Sequence, residues 1–509
     1  MNLTIYRNFV FLIAYFPCFL SARTLHIGSD QPYSNLESAA RVVQAGDTIL
    51  FHAGIYPGNQ YIEALKGRES GWIHITSVPG DCVVIRGGTN AWQLSDPAFV
   101  SISNIIFEQQ TGNGVNIDDG GDYSTPAHHV NFSQCTFRDM NASGNNDLLK
   151  LSGVDSFFVE NCYFLNGAAG GSGIDMVGCH NGVIQGGQFR NMGSNAIQAK
   201  GGSENVIIFQ NFFEDCGART LNLGGSTGLA FFRPMNATFE AAHLYVYSNI
   251  FSGSDAPVAF VGCVNSEVVN NTIYKPQTWA VRILQETVDP DRFAECGDNS
   301  FRNNIIYLGN IRTETNVGPD TRPETFIFDY NFWFNYENEN WRIPNTPVSD
   351  PHVVAGQDPL FQDASARDFR LQPSSPAIGQ VSTNNPPEFD FYGTAFSNPR
   401  SIGAVEGNPD PTSIKMPVGL KETTFALHGI YPNPFNTAIA ISFSVFKSTH
   451  VLLEIVNTLG QQIASLLNCE MKPGIYHIKW DAQEHPSGIY FYRIKTDGFQ
   501  KTGKIILQR

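Results

Sequence analysis

Three stretches, VDSFFVENCYF (residues 154–164), NGVIQGGQF (181–189) and ENVIIFQNFF (204–213), share one design. A β-branched or aromatic run meets Asn or Gly, and a short segment then closes on Phe. Working outward, the same closing position recurs at Phe107, Phe137, Phe164, Phe189, Phe213, Phe251, Ile273 and Ile306, with neighbours 22 to 38 residues apart. That spacing suits one coil of three short strands, and Asn at equivalent turns suits the stacked amides and left-handed turn residues of a β-solenoid. The repeating Leu pattern of leucine-rich repeats is missing, and a β-propeller needs blades of more regular length. The expected body is therefore all-β, a right-handed parallel β-helix of about ten coils.

The rest of the 509-residue chain frames that body. Residues 8–20 (NFVFLIAYFPCFL) follow a basic start and end in Ser21 and Ala22, the pattern of a signal peptide over 1–22. The apolar part is short for a membrane span, so no transmembrane segment is expected in the mature chain. The stretch LESAARVVQAGDTILFHAGIYPG (36–58) resembles the opening of exported β-helix proteins, with a cap helix near 35–43 and the first strand at GDTI. A cap covers the unpaired edges and apolar core of an open coil. DPLFQDASARDFRLQPSSPAIG (358–379) and NPRSIGAVEG (398–407) resemble the closing segment of the same group. The β-helix is thus assigned to 23–406 and a Pro/Asp/Ser-rich linker to 407–424.

Residues 425–509 change character, with alternating strands and Gly-containing turns that suit a small immunoglobulin-like β-sandwich. YPNPFN (431–436), NTLGQ (457–461), GIYHIKW (474–480), SGIYFYRI (487–494) and a terminal basic strand occur in order. This set resembles the C-terminal sorting domain of type IX secretion. The resemblance implies a partner in the secretion machinery and a destination outside the cell or on its surface.

A net charge of −15 with 16% charged residues argues against a nucleic-acid partner, because phosphate neutralisation needs a Lys/Arg excess. An acidic polymer likewise requires basic residues concentrated where it lies. No CxxC pairs with a second one, so no zinc site is expected, and cysteine pairing is left open.

Aligning LKLSG (149–153), IDMVG (174–178), IQAKG (197–201) and LNLGG (221–225) as one strand in successive coils assigns faces by period-two alternation. Leu149, Leu151, Ile174, Met176, Ile197, Ala199, Leu221 and Leu223 point inward. Lys150, Asp175, Gln198 and Asn222 form an outward, solvent-facing ladder with Lys200 beside it, extended by Arg282. A strip of this kind is a candidate polysaccharide-binding surface. The surrounding glycines (GAAGGSG, KGGS, NLGGSTG) would let a ligand approach the backbone.

The segment AKGGSENVIIFQNFFEDCGARTLNLGG (199–225) is similar to the catalytic coil of the chondroitinase B and alginate lyase family of β-helix lyases. Lys200, Glu204, Asn205, Asn211 and Cys216 fit its pattern. The resemblance implies β-elimination of a uronic-acid polysaccharide with Lys200 as base. The family's arginine position falls at Gly224 or its neighbour here, and its acidic calcium ligand, five residues before the lysine, is replaced by Asn195. Arg219 stands near the first and is the candidate substitute, with Arg233 and Arg282 as further groups to neutralise a uronate carboxylate. The acidic turn NIDDGGDYS (Asp118, Asp119, Asp122) could hold Ca²⁺ through oxygen ligands or be a solvated loop. A glycoside hydrolase or epimerase on the same fold, with Asp147 and Asp175 on neighbouring coils and Glu240 in the long excursion between Phe213 and Phe251 as carboxylates, and a non-catalytic carbohydrate-binding or adhesion solenoid are the alternatives.

Overall fold

The computed structural model describes residues 22–382, 387–407, 425–431, 435–445, 449–471, 474–483, 485–496 and 500–508. The expected signal peptide and most of the expected linker lie outside them. The chain divides into two compact units, Met1–Pro411 and Thr412–Arg509.

The first unit is a parallel β-helix of three sheets, with 13, 10 and 12 strands. Each coil contributes one strand to each sheet, and each strand pairs in parallel with its counterpart one coil on, as Tyr163–Leu165 does with Gln188–Arg190. The closing Phe residues account for this stacking. Phe107, Phe137, Phe164, Phe189, Phe213 and Phe251 lie face over face inside the coil, with neighbouring ring centroids 4.6–5.0 Å apart. That distance is the strand spacing itself, so identical rings stack without offsetting the backbone.

Asparagine does the same at one corner. The side-chain oxygens of Asn249, Asn271, Asn304 and Asn331 each accept the backbone N–H of the preceding ladder member at 2.9–3.1 Å, and Asp350 ends the series by accepting from Asn331. These residues are buried, so the ladder satisfies corner amides that no water reaches. Other corners use residues at positive φ, among them Asn161, Asn166, Asn181, Asn191 and Asn205.

The cap helix is Leu36–Ala40, shorter than the sequence suggested, and opens on a capping box between Asn35 and Ser38. It buries Leu36 and Ala39. GDTI does not start the first strand, because Thr24–Ile27 precedes it and pairs with Thr48–Phe51. The second unit has two antiparallel sheets of three and four strands with its own core, including Phe443, Leu453, Trp480, Tyr492 and Ile505. No helix among the described residues is long and apolar enough to cross a membrane.

Candidate functional site

The ten-stranded sheet carries the site. Its register runs Asn116, Lys150, Asp175, Gln198, Asn222, Ala259, Arg282, Asn316 along one outward column. Ser152, Val177 and Lys200 form the adjacent column. The inward residues Leu149, Leu151, Ile174, Met176, Ile197, Ala199, Leu221 and Leu223 are all buried.

The ladder is not solvent-facing as expected: Asp175 is 0% exposed, Asn222 3% and Gln198 8%. Alternation fixes which side of the sheet a residue takes, but neighbouring long side chains and the excursion after Gly224 cover that side. Asp175 lies between two ammonium groups. Lys150 Nζ hydrogen-bonds its Oδ2, and Lys200 Nζ stands 3.6 Å from its Oδ1. Lys200 also donates to Gln198 Oε1 at 3.2 Å. Asp147, 1% exposed, stands 3.5 Å from Lys150 and accepts the Ser172 N–H at 2.8 Å. Burial, followed by the charge of Asp175, raises its carboxyl to about 6. Burial alone would lower Lys150, but the carboxylates of Asp175 and Asp147 hold it above the ordinary lysine value.

Arg219 and Arg282 meet Lys200 in one hollow of about 410 Å³, together with Gln198, Asn222 and Glu286. Arg219 donates to Asn222 Oδ1 at 3.2 Å and pairs with Glu286 at 2.6 Å. Arg282 stacks on Trp279, 4.3 Å from the ring centroid, and donates to Asn316 Oδ1 at 3.0 Å. No carboxylate among the described residues lies within ion-pair distance of it. Burial, then the nearby Arg219 charge, lowers its guanidinium below the ordinary arginine value. Two cations near each other with one counter-charge between them suit an incoming anion.

A second hollow of about 700 Å³ shares Lys200, Asn145 and Ser226 with the first, so the two are continuous. It is lined by Lys150, Asp118, Asp119, Tyr123, Phe231 and Arg233. Arg233 does not reach toward a ligand. Its guanidinium is bound by Asp119 through both oxygens and lies 3.9 Å from the Tyr123 ring centroid. Its role is to fasten the 225–240 excursion to the coil. The glycines at 178 and 202 serve that excursion, because a Cβ on either would fall 2.4–2.5 Å from Arg233. Gly225, at φ +150°, is the glycine that keeps the groove floor clear: a Cβ there would sit 2.7 Å from the Gln198 amide and 3.3 Å from Lys200 Cδ.

Neither candidate calcium position fits that ion. Asp119 is held by Arg233, Asp118 accepts from Ser95 and Gly120, and Asp122 accepts from Ser124, so the three carboxylates do not converge. Asn195 satisfies its amide on the Ser194 and Arg219 carbonyls and the Ser194 and Ser172 hydroxyls. Among the described residues no group of three or more His, Cys, Asp and Glu side chains could hold a metal. The eight cysteines among the described residues are free; six are buried, while Cys82 and Cys469 are exposed.

Sequence reasoning missed two groups, Glu286 and His180, and named Glu240 only as a hydrolase carboxylate. Glu286 is 67 positions from its partner Arg219. His180 is bound by Asp155 Oδ1 at 2.8 Å and by the Gly202 carbonyl at 3.1 Å. Glu240 is buried and accepts from Gly201 N (2.9 Å), Thr227 N (2.8 Å), Thr227 Oγ1 (2.7 Å) and Thr287 Oγ1.

Residues 73–233 match the family model of the right handed beta helix region, and residues 429–508 match that of the secretion system C-terminal sorting domain. The chain therefore carries a type IX sorting domain, which directs export to the cell surface or beyond it. No curated protein sequence matches the chain at a significant level. Among solved structures, pectate lyase Pel9A aligns at 14% identity over 76% of this chain and 96% of its own, with a TM-score of 0.51. An alginate lyase from Paenibacillus sp. str. FPU-7 aligns at 16% identity over 65% of this chain and 99% of its own, with a TM-score of 0.40. At 14% identity the likeness to the pectate lyase establishes the parallel β-helix fold alone.

Proposed function

We propose that this exported protein cleaves a uronic-acid-containing polysaccharide by β-elimination in the groove around Lys200. The observation that carries the reading is Arg282: a guanidinium in the groove with no carboxylate partner, in the same hollow as Arg219 and Lys200. A chain of net charge −15 that nevertheless gathers two guanidinium groups beside Lys200 in one hollow is arranged for an anionic ligand. The pectate lyase on the same fold supports a uronate polymer as the substrate class.

Chemically, Arg282 and Arg219 neutralise the uronate carboxylate, which makes the adjacent ring C–H acidic. Lys200, in its amine form, takes that proton. The bond between the neighbouring ring carbon and the glycosidic oxygen breaks, a ring double bond forms, and the departing oxygen takes up a proton. Gln198 and Asp175 hold the Lys200 side chain over the groove. Lys150 and Asn222 contribute to the ladder beneath the polymer. A hydrolase would need two carboxylates open on either side of a bond. Asp147 and Asp175 are both buried beside Lys150 and do not offer that arrangement.

Mass spectrometry of the products tests the mechanism. Elimination gives fragments short of one water relative to hydrolysis, and Arg282→Ala is expected to raise KM strongly. Products carrying the added water would overturn the reading.

A further inference from the structure

The two joined hollows differ in the charge left over once their internal ion pairs are counted. In the smaller one the unpaired group is a cation, Arg282. In the larger one Arg233 is bound by Asp119, Lys150 by Asp147 and Asp175, and Lys200, which both hollows share, stands 3.6 Å from Asp175. The group without an ion-pair partner there is Asp118, whose carboxylate accepts only neutral donors from Ser95 (2.7 Å), Gln93 (2.5 Å) and Gly120 (2.9 Å). A second uronate or a sulfated sugar laid over this hollow would face that carboxylate, while each lining cation among the described residues already has a carboxylate partner.

The same hollow carries Phe231, which is 58% exposed on a 3-10 turn of the excursion. An aromatic ring open to solvent beside a groove is costly to leave bare and suits the apolar C–H face of a sugar ring. Arg233 and Tyr123 brace the excursion from below, so the ring is presented on an anchored loop.

We infer that the larger hollow is a subsite for an uncharged, unsulfated sugar stacked on Phe231, so that the preferred polymer alternates this sugar with a uronate and is not a homopolyuronate. This rests on the elimination reading only for turnover; the binding preference stands by itself. It follows from a cation left over in one hollow and an anion and a bare aromatic ring in the next.

The test uses the full chain with two probes: a homopolyuronate, and an unsulfated polymer alternating a uronate with an uncharged sugar. Affinity electrophoresis reads binding and product release reads turnover, so loss of catalysis and loss of the subsite are told apart. The wild type should bind the alternating polymer the more tightly. Phe231→Ala should weaken that binding about tenfold while leaving the homopolyuronate nearly unaffected. Asp118→Asn, which keeps the shape, should reduce the preference by improving the homopolyuronate. Equal or stronger wild-type binding of the homopolyuronate would overturn the inference. So would a preference unmoved by both variants when their thermal melting matches the wild type.

Discussion

Glu240 ties together the three segments that surround Lys200. Its carboxylate accepts the Gly201 N–H next to Lys200, the Thr227 N–H and hydroxyl on the excursion, and the Thr287 hydroxyl beside Glu286. Glu240→Ala removes the acceptor from two backbone N–H groups. An unsatisfied buried donor costs about 1–3 kcal/mol. The threonine hydroxyls can re-aim and add little, so the sum is about 3 kcal/mol, large for one substitution. Glu240→Gln keeps one acceptor oxygen but turns an NH2 toward the remaining donors, and should cost about 1 kcal/mol. Thermal unfolding gives the global cost, and amide hydrogen exchange at Gly201 and Thr227 gives the local one. The expected order of stability is wild type, Gln, Ala, with both amides exchanging faster in the Ala variant. Unchanged melting and unchanged protection of the two amides in Glu240→Ala would refute this role.

Replacing Lys150 by Met leaves Asp147 buried without its ammonium and Asp175 with Lys200 alone, a loss of about 3 kcal/mol. The Asp147 carboxyl is raised to about 6. It is neutral in the fold below that value and charged above it, so chemical denaturation should find the variant's deficit larger near pH 8 than near pH 5. His180 has acceptors on both ring nitrogens, which only the imidazolium satisfies by donating twice. Burial alone would lower it, but Asp155 raises it overall. A raised folded value means the stabilisation is complete below about pH 6.5 and fades as pH rises through the folded value. The stability difference between wild type and His180→Gln should therefore shrink across that window, as followed by denaturant midpoints. Among the cysteines, Cys82 and Cys469 should react with a thiol reagent in the native protein, counted by mass, ahead of the six buried ones. Burial pushes Cys179 and Cys216 up to about 12 and withholds their thiolates.

The parallel coils were legible because one chemical need repeats at every turn. Phe213 has to stack on Phe189, and Asn249 has to satisfy Asn211, so the same residue types return at the same corner. The outward column was legible for the same reason, since Lys150, Asp175, Gln198 and Asn222 follow from the register of buried neighbours. Its burial was not. Asp175 is covered by lysines one coil to either side and by a non-repeating excursion whose path no periodicity encodes. Arg233 illustrates the difference: its partner Asp119 is 114 positions away, so sequence offered a free cation where the fold has a bound one. Arg219 and Glu286 repeat the lesson.

The most direct test of the account is ultraviolet absorbance of the unsaturated uronate as the full-length protein is incubated with a panel of uronic-acid polysaccharides. The account predicts rising absorbance on at least one polymer, abolished by Lys200→Ala with the fold intact. Binding without any rise across the panel, or a rise that Lys200→Ala leaves unchanged, would contradict it.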